Sequence, residues 1–267
     1  MSKVVLITGA SSGIGKAIAI YLSNKGFVVY GTSRTKRKSI NLPFTFLALD
    51  VTNPKTIEKA VAEVIEKEGR LDVLINNAGK GITGSIEDTP TEEMKANFDT
   101  NFFGPIEMMK AVLPQMRSQK SGLIINITSI AGYMGLPFRG IYSASKGALE
   151  LVTEATRMEV KKFGIDVVNI APGDFATNIA SGRYHTPIFD DSAYKTSYKE
   201  NLSMIDDHVD KGMQPIEMAK AVYQVIASKN TKIHYKVGGF LEKFSIVLKR
   251  VLPDKVYEKL LMNHYKL

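Results

Sequence analysis

Short runs of apolar, mostly β-branched residues recur along the chain: KVVLIT at 3–8, FVVYGT at 27–32, FTFLAL at 44–49, LDVLIN at 71–76, LIINIT at 123–128 and IDVVNI at 165–170. Each is followed by a glycine, proline or polar turn and then by a segment with helical apolar spacing, as in Ile14, Ile18, Tyr21 and Leu22 after the first run. Runs this apolar leave no polar face for water, so the strands they form must be covered on both sides. Regular alternation with helices therefore predicts a parallel sheet with helices on both faces and right-handed crossovers. KIHYKV at 232–237 adds a seventh strand. Ligands of such sheets bind at the carboxyl ends of the strands, near the switch in strand order, so functional residues are expected just after the strands.

A chain of 267 residues, 44% of them hydrophobic, can bury a large core and still be one domain, and residues 1–267 read as one. No hinge-like, low-complexity or repeated segment interrupts it. With no cysteine, disulfides and thiolate metal sites are excluded, and four scattered histidines do not suggest zinc, so no metal is expected. A reducing cytoplasm fits, and the apolar run in MSKVVLITGA is too short for a signal peptide or a membrane span. The formal charge of +8 is compatible with nucleic acid, an anionic membrane surface, or affinity for a phosphorylated ligand. Its basic residues are dispersed rather than interleaved with aromatics, which argues against nucleic acid.

Directly after the first run stands TGASSGIG, with Gly9, Gly13 and Gly15 in the spacing G-x-x-x-G-x-G. Glycines here let the backbone turn tightly and approach a pyrophosphate, whose charge would sit against a helix N-terminus. A turn that serves only strand-to-helix packing is the other reading, and the spacing differs from the G-x-G-x-x-G fingerprint. After the second run comes GTSRTKRK, where Ser33 and Arg34 stand in place of the acid that would hold a ribose 2′-hydroxyl. Arg34 offers paired donors to a 2′-phosphate, helped by Ser33 and by Lys36 or Arg37, so the cofactor expected is NADP(H) rather than NAD(H). Solvated loop charges are the other reading, which fits Arg37 and Lys38 better than Arg34.

Farther on, IYSASKGAL puts Tyr142 and Lys146 four residues apart, on one face if the segment is helical. Alone, such a pair is an ordinary helix surface. However, TGASSGIG, NNAG (76–79), ITSIAG (127–132), YSASK (142–146) and APGDFAT (171–177) occur in the order and spacing of the short-chain dehydrogenases/reductases. The chain resembles that family closely over residues 3–180 and loosely beyond. The resemblance implies a Rossmann-type doubly wound α/β fold and hydride transfer between NADP(H) and a carbonyl or secondary alcohol.

The resemblance makes Tyr142 the general acid in reduction and base in oxidation. A phenol with pKa of roughly 10 needs a neighbouring cation to work at neutral pH, and Lys146 supplies one. Ser129, thirteen residues before Tyr142, would donate to the substrate oxygen, while Thr128 points the other way because side chains alternate along a strand. Asn101 matches the family's helix asparagine of the proton relay; a structural amide in a helix kink is its other reading. The cofactor contacts implied are Ser11, Ser12 and Ile14 in the glycine loop, Asp50 and Val51 at the adenine, Asn76, Ala78 and Gly79 at the adenosine ribose, Tyr142 and Lys146, and Pro172, Gly173, Phe175 and Thr177 at the carboxamide. For Asp50 a turn role before TNP competes.

Residues 178–212 break the strand/helix rhythm and carry several tyrosines, as a substrate lid or a disordered loop would. Met134, Leu136, Pro137 and Phe138 in YMGLPFRG suggest an apolar pocket. The helical tail 240–267 places Phe240, Phe244, Val247, Leu248, Val251 and Leu252 on one stripe, which suits a peripheral membrane helix, a pocket cap or a subunit interface. The resemblance points to a homodimer or homotetramer acting on a bulky hydrophobic ketone such as a 3-ketosphinganine-like lipid, a steroid or a retinoid. A 3-oxoacyl-carrier-protein reductase and a non-catalytic dinucleotide sensor are the alternatives.

Overall fold

The computed structural model describes residues 2–35, 41–176, 182–210 and 212–267. In chain order its elements are β1 (Val4–Ile7), α1 (Gly13–Asn24), β2 (Val28–Ser33), β3 (Thr45–Ala48), α2 (Pro54–Glu68), β4 (Val73–Asn76), β5 (Ile82–Thr83), α3 (Thr91–Phe98), α4 (Gly104–Gln119), β6 (Gly122–Ile127), α5 (Gly140–Val160), β7 (Ile165–Pro172), β8 (Tyr184–His185), α6 (Lys195–Asp210), α7 (Pro215–Ala227), β9 (His234–Val237), α8 (Phe240–Val251) and α9 (Asp254–Tyr265). Seven strands form one parallel sheet in the order β3-β2-β1-β4-β6-β7-β9. The order reverses between β1 and β4, so their carboxyl ends flank the crevice where a ligand is expected.

Alternation along each strand feeds two cores. Val4 and Leu6 of β1, with Leu74 and Ile124, pack under Ile57, Val61 and Val64 of α2 and Met108, Val112 and Met116 of α4. Val5 and Ile7, with Val73, Ile75, Ile125 and Val168, pack on the other face against Ile18 and Leu22 of α1 and Met218 and Val222 of α7. Residues one apart serve opposite faces, which explains why the strands read as unbroken apolar runs. The ends of α2 follow from local chemistry: Asn53 accepts from the Lys55 N–H at 3.1 Å, Pro54 opens the helix, and Gly69 closes it at φ 68°.

The segment 178–212 is more regular where described than a loop. β8 pairs with β5, and α6 follows. Tyr198 on α6 is buried and donates its hydroxyl to the Thr83 carbonyl at 3.0 Å, while Asn201 donates to the Tyr265 carbonyl at 3.1 Å. The tail is two helices broken at Pro253 rather than one. Its apolar stripe divides: Leu248 and Leu252 pack inward beside buried Ile246, whereas Phe240, Phe244, Val247 and Val251 are exposed. A third cluster joins Ile130, Met134, Leu136 and Ala171 to Ile246, Tyr257 and Tyr265. Among the described residues no helix is long and apolar enough to cross a membrane.

Candidate active site

A cleft of about 600 Å³ opens over the carboxyl ends of β1, β2, β4 and β6. Of the residues singled out from the sequence, it brings together Gly9, Ser11, Ser12, Gly13, Ile14, Gly15, Ser33, Arg34, Asp50, Val51, Ala78, Gly79, Tyr142, Lys146 and Pro172. Gly9 has φ +69°, and a side chain there would meet the Ala78 Cα at 2.9 Å, so both backbone freedom and close approach demand glycine. No side chain caps α1 and no acid sits in its first turn, which leaves its N–H groups and the positive end of its dipole to a ligand. Arg34 is exposed at the far rim, and Ser33 donates to the Thr35 carbonyl. Asp50 lines the cleft and also closes a turn, accepting from the Thr52 N–H and hydroxyl at 2.9 and 2.8 Å.

Lys146 lies one turn after Tyr142 on α5 and is buried; its Nζ donates to the Ile127 carbonyl at 2.9 Å. Burial pulls its pKa down to about 8, partly offset by Glu150. The Tyr142 phenol is hydrogen-bonded by Ser129. Its pKa is raised, not lowered as the sequence led us to expect: burial dominates over the lowering effects of Ser129, Arg139 and Arg183, and Asp174 reinforces it. The phenol is therefore held protonated in this state. Ser129 itself begins the helical turn 130–133 and accepts from the Ala131 N–H at 3.2 Å.

One expectation needs correction. Asn76 does not reach the cleft: on the same strand face as Leu74, it is buried and donates to Asn126 Oδ1 at 2.8 Å, while the next residue, Asn77, lines the cleft. Asn77 is fixed there by Thr8, whose hydroxyl accepts the Asn77 and Ala78 N–H groups at 2.9 and 3.0 Å. A Cβ on Gly173 would meet the Glu242 carboxylate of α8, and the Phe175 side chain is buried in the core under α7, so any contact of either residue with a cofactor would be through the backbone. Beside Phe175, the Asp174 carbonyl and the Ala176 N–H pair with Met213, each at 2.9 Å. Lys36, Arg37, Lys38 and Thr177 lie outside the described residues.

Asn101 sits in a π-helical turn, 99–103, between α3 and α4 and makes the bonds of a structural amide. Its Oδ1 accepts from the Lys80 N–H and its Nδ2 donates to the Lys80 carbonyl, both at 2.9 Å. The extra residue of a π turn rotates Asn101 inward. Gly79 separates it from Lys146: a Cβ on Gly79 would lie 3.1 Å from Asn101 Oδ1 and 3.5 Å from Lys146 Nζ.

Two acids that the sequence did not flag complete the site. Glu150, buried behind Lys146, accepts from the Thr128 hydroxyl, from Tyr133 at 2.8 Å and from Asn169 at 3.0 Å, with His234 Nδ1 at 2.8 Å. It thus holds Thr128 on the face away from Ser129, as alternation predicts. Glu242 on α8 accepts the Asp174 N–H at 2.6 Å and the Gly239 N–H, so it ties the turn after β7 to the start of α8. Of the residues expected to line the substrate side, Met134 and Leu136 are buried in the third cluster, and Phe138 packs on Tyr198 with ring centroids 5.3 Å apart.

The chain matches the short chain dehydrogenase family over residues 3–187. It is 41% identical over 264 residues to a 3-ketodihydrosphingosine reductase of Bacteroides thetaiotaomicron, covering 98% of each chain. Among solved structures it superposes on a short-chain dehydrogenase from Streptomyces avermitilis with a TM-score of 0.83, 32% identity and 99% and 97% of the two chains covered. It also superposes on ElxO with NADP bound, with a TM-score of 0.74, 30% identity and 90% and 99% covered.

Proposed function

Because the chain belongs to the short-chain dehydrogenase/reductase family, we propose that it is an NADP(H)-dependent reductase of a long-chain ketone of the 3-ketosphinganine type. The convergence of Ser129, Tyr142 and Lys146 at the end of β6 carries the reaction class. The relative named 3-ketodihydrosphingosine reductase, matched over nearly its whole length, carries the substrate class. The glycine cradle at Gly9 and the uncapped start of α1 fit a pyrophosphate, and Arg34 at the rim fits a 2′-phosphate. When bound, the nicotinamide supplies the hydride.

The residues handle the proton. Tyr142, protonated in the resting site, gives its proton to the substrate oxygen in reduction, while Ser129 donates a second hydrogen bond to the same oxygen as negative charge develops. Lys146, cationic below about pH 8, stabilises the phenolate left behind. We assign the return of protons to the Asn101 side, since Asn101 and Lys146 flank Gly79. We assign β8 and α6, docked on Thr83 through Tyr198, to the substrate cover. Self-association is assigned to α5, where Leu151 and Met158 share one face and are 67% and 74% exposed.

A panel of 3-keto sphingoid bases, steroids, retinal and acetoacetyl thioesters, assayed by NADPH consumption, tests the reading. Turnover of the sphingoid bases above the others is expected; preference for the thioesters would transfer the assignment to fatty-acid reduction, and turnover of none would sink it. Arg34 can be tested separately. Arg34→Asp should lower kcat/KM with NADPH by about 10²-fold and leave the NADH value within a few-fold, because a charge-assisted pair becomes a like-charge contact. An equal loss with both cofactors would show that Arg34 does not read the 2′-phosphate.

A further inference from the structure

The inward faces of α8 and α9 are already used, since Ile246, Tyr257 and Tyr265 sit in the third core cluster. Their outward faces carry surplus apolar surface. Phe240, Phe244, Val247 and Val251 stand at helical spacing along α8, with Phe240 75% and Val251 74% exposed. Val256 and Leu260 are likewise exposed on α9. Four of these residues follow a basic one directly: Lys243 before Phe244, Arg250 before Val251, Lys255 before Val256 and Lys259 before Leu260. At about 100° per residue, these exposed cations flank the apolar stripe on the same side of both helices.

From this pattern we propose that α8 and α9 together dock on an anionic lipid bilayer, with the stripes at the acyl-chain boundary and the cations on the phosphates. The charge decides the occupant. Segment 240–267 holds six Lys and Arg against three Asp and Glu. Of those acids, Glu242 accepts backbone N–H groups and Asp254 pairs with Lys249 at 3.2 Å, which leaves Glu258. A two-fold contact between copies would bring two patches of the same basic sign into one interface, whereas a lipid surface of opposite sign complements the patch. A groove of about 590 Å³, walled by Leu136, Pro137, Tyr257 and Leu261, lies between the 135–137 loop and α9. Leu136 and Leu261 pack in the same cluster as Tyr142, so this surface is joined to the reaction end by continuous side-chain packing.

Co-sedimentation of the full chain with vesicles is the test, comparing phosphatidylcholine alone with phosphatidylcholine containing phosphatidylglycerol. Binding to the anionic vesicles is expected, weakened by salt and lowered about tenfold or more by Lys255→Glu with Lys259→Glu, or by Val251→Glu with Leu260→Glu. Thermal unfolding and NADPH-dependent turnover of a short water-soluble ketone serve as controls and should match the parent chain. The proposal is overturned if anionic vesicles are not bound, if the variants bind as the parent does, or if the same substitutions dissolve a dimer in sedimentation equilibrium. Vesicle binding is read without turnover, so a failure of the substrate assignment leaves this result intact.

Discussion

Tyr142→Phe lowers turnover by about 10²–10⁴-fold while NADPH binding stays within a few-fold of the parent chain. The substitution removes one hydroxyl and keeps the ring, so the cleft floor beside Lys146 is preserved and the proton donor is lost. Stopped-flow or steady-state NADPH oxidation measures the first effect, and nicotinamide fluorescence titration the second. Retained turnover would give the proton to another group and remove Tyr142 from the reaction. Joint loss of binding and turnover would make the hydroxyl, hydrogen-bonded by Ser129, part of the cofactor site rather than the proton donor alone.

The second large effect is on stability. Glu150→Ala should cost about 3–5 kcal/mol, read from urea denaturation, because the donors of Thr128, Tyr133 and Asn169 lose a buried acceptor, and Lys146 loses the carboxylate that raises its pKa. The same loss has a sign in pH. Without Glu150 the Lys146 pKa falls below about 8, and since the lysine is cationic only below its pKa, the alkaline decline of turnover should begin at lower pH. Glu150→Gln, which keeps acceptor and shape but drops the charge, should regain most of the stability and keep the displaced pH profile. An unchanged profile in both variants would mean that Lys146 does not feel Glu150.

The strands were legible because burial on both faces leaves an apolar run that few other structures require, and the seven runs from KVVLIT to KIHYKV all became strands of the main sheet. The glycine loop was legible for a related reason, since only a backbone approach as close as that at Gly9 calls for the residue. Asn76 could have been placed correctly by counting: Leu74 and Asn76 share a strand face, so Asn76 points to the core and Asn77 is the one free to line the cleft. The raised Tyr142 pKa was not legible. Sequence spacing supplies the neighbouring cation but not the degree of burial, and burial is the larger effect. Nor was α6, whose apolar spacing is weak and whose anchors are long-range: Tyr198 reaches Thr83 from 115 positions away and Asn201 reaches Tyr265 across 64.

Glu242 reaches the turn after β7 across 68 positions of sequence. During synthesis, all seven strands and the Ser129, Tyr142 and Lys146 set are therefore complete before the acceptor of the Asp174 N–H has been made. A chain cut just after Gly239 would keep its sheet yet lack the contact that shapes the turn from Pro172 to Phe175. The start of α8 thus sets the order of assembly: the sheet is complete in sequence before the turn after β7 gains its side-chain acceptor at residue 242.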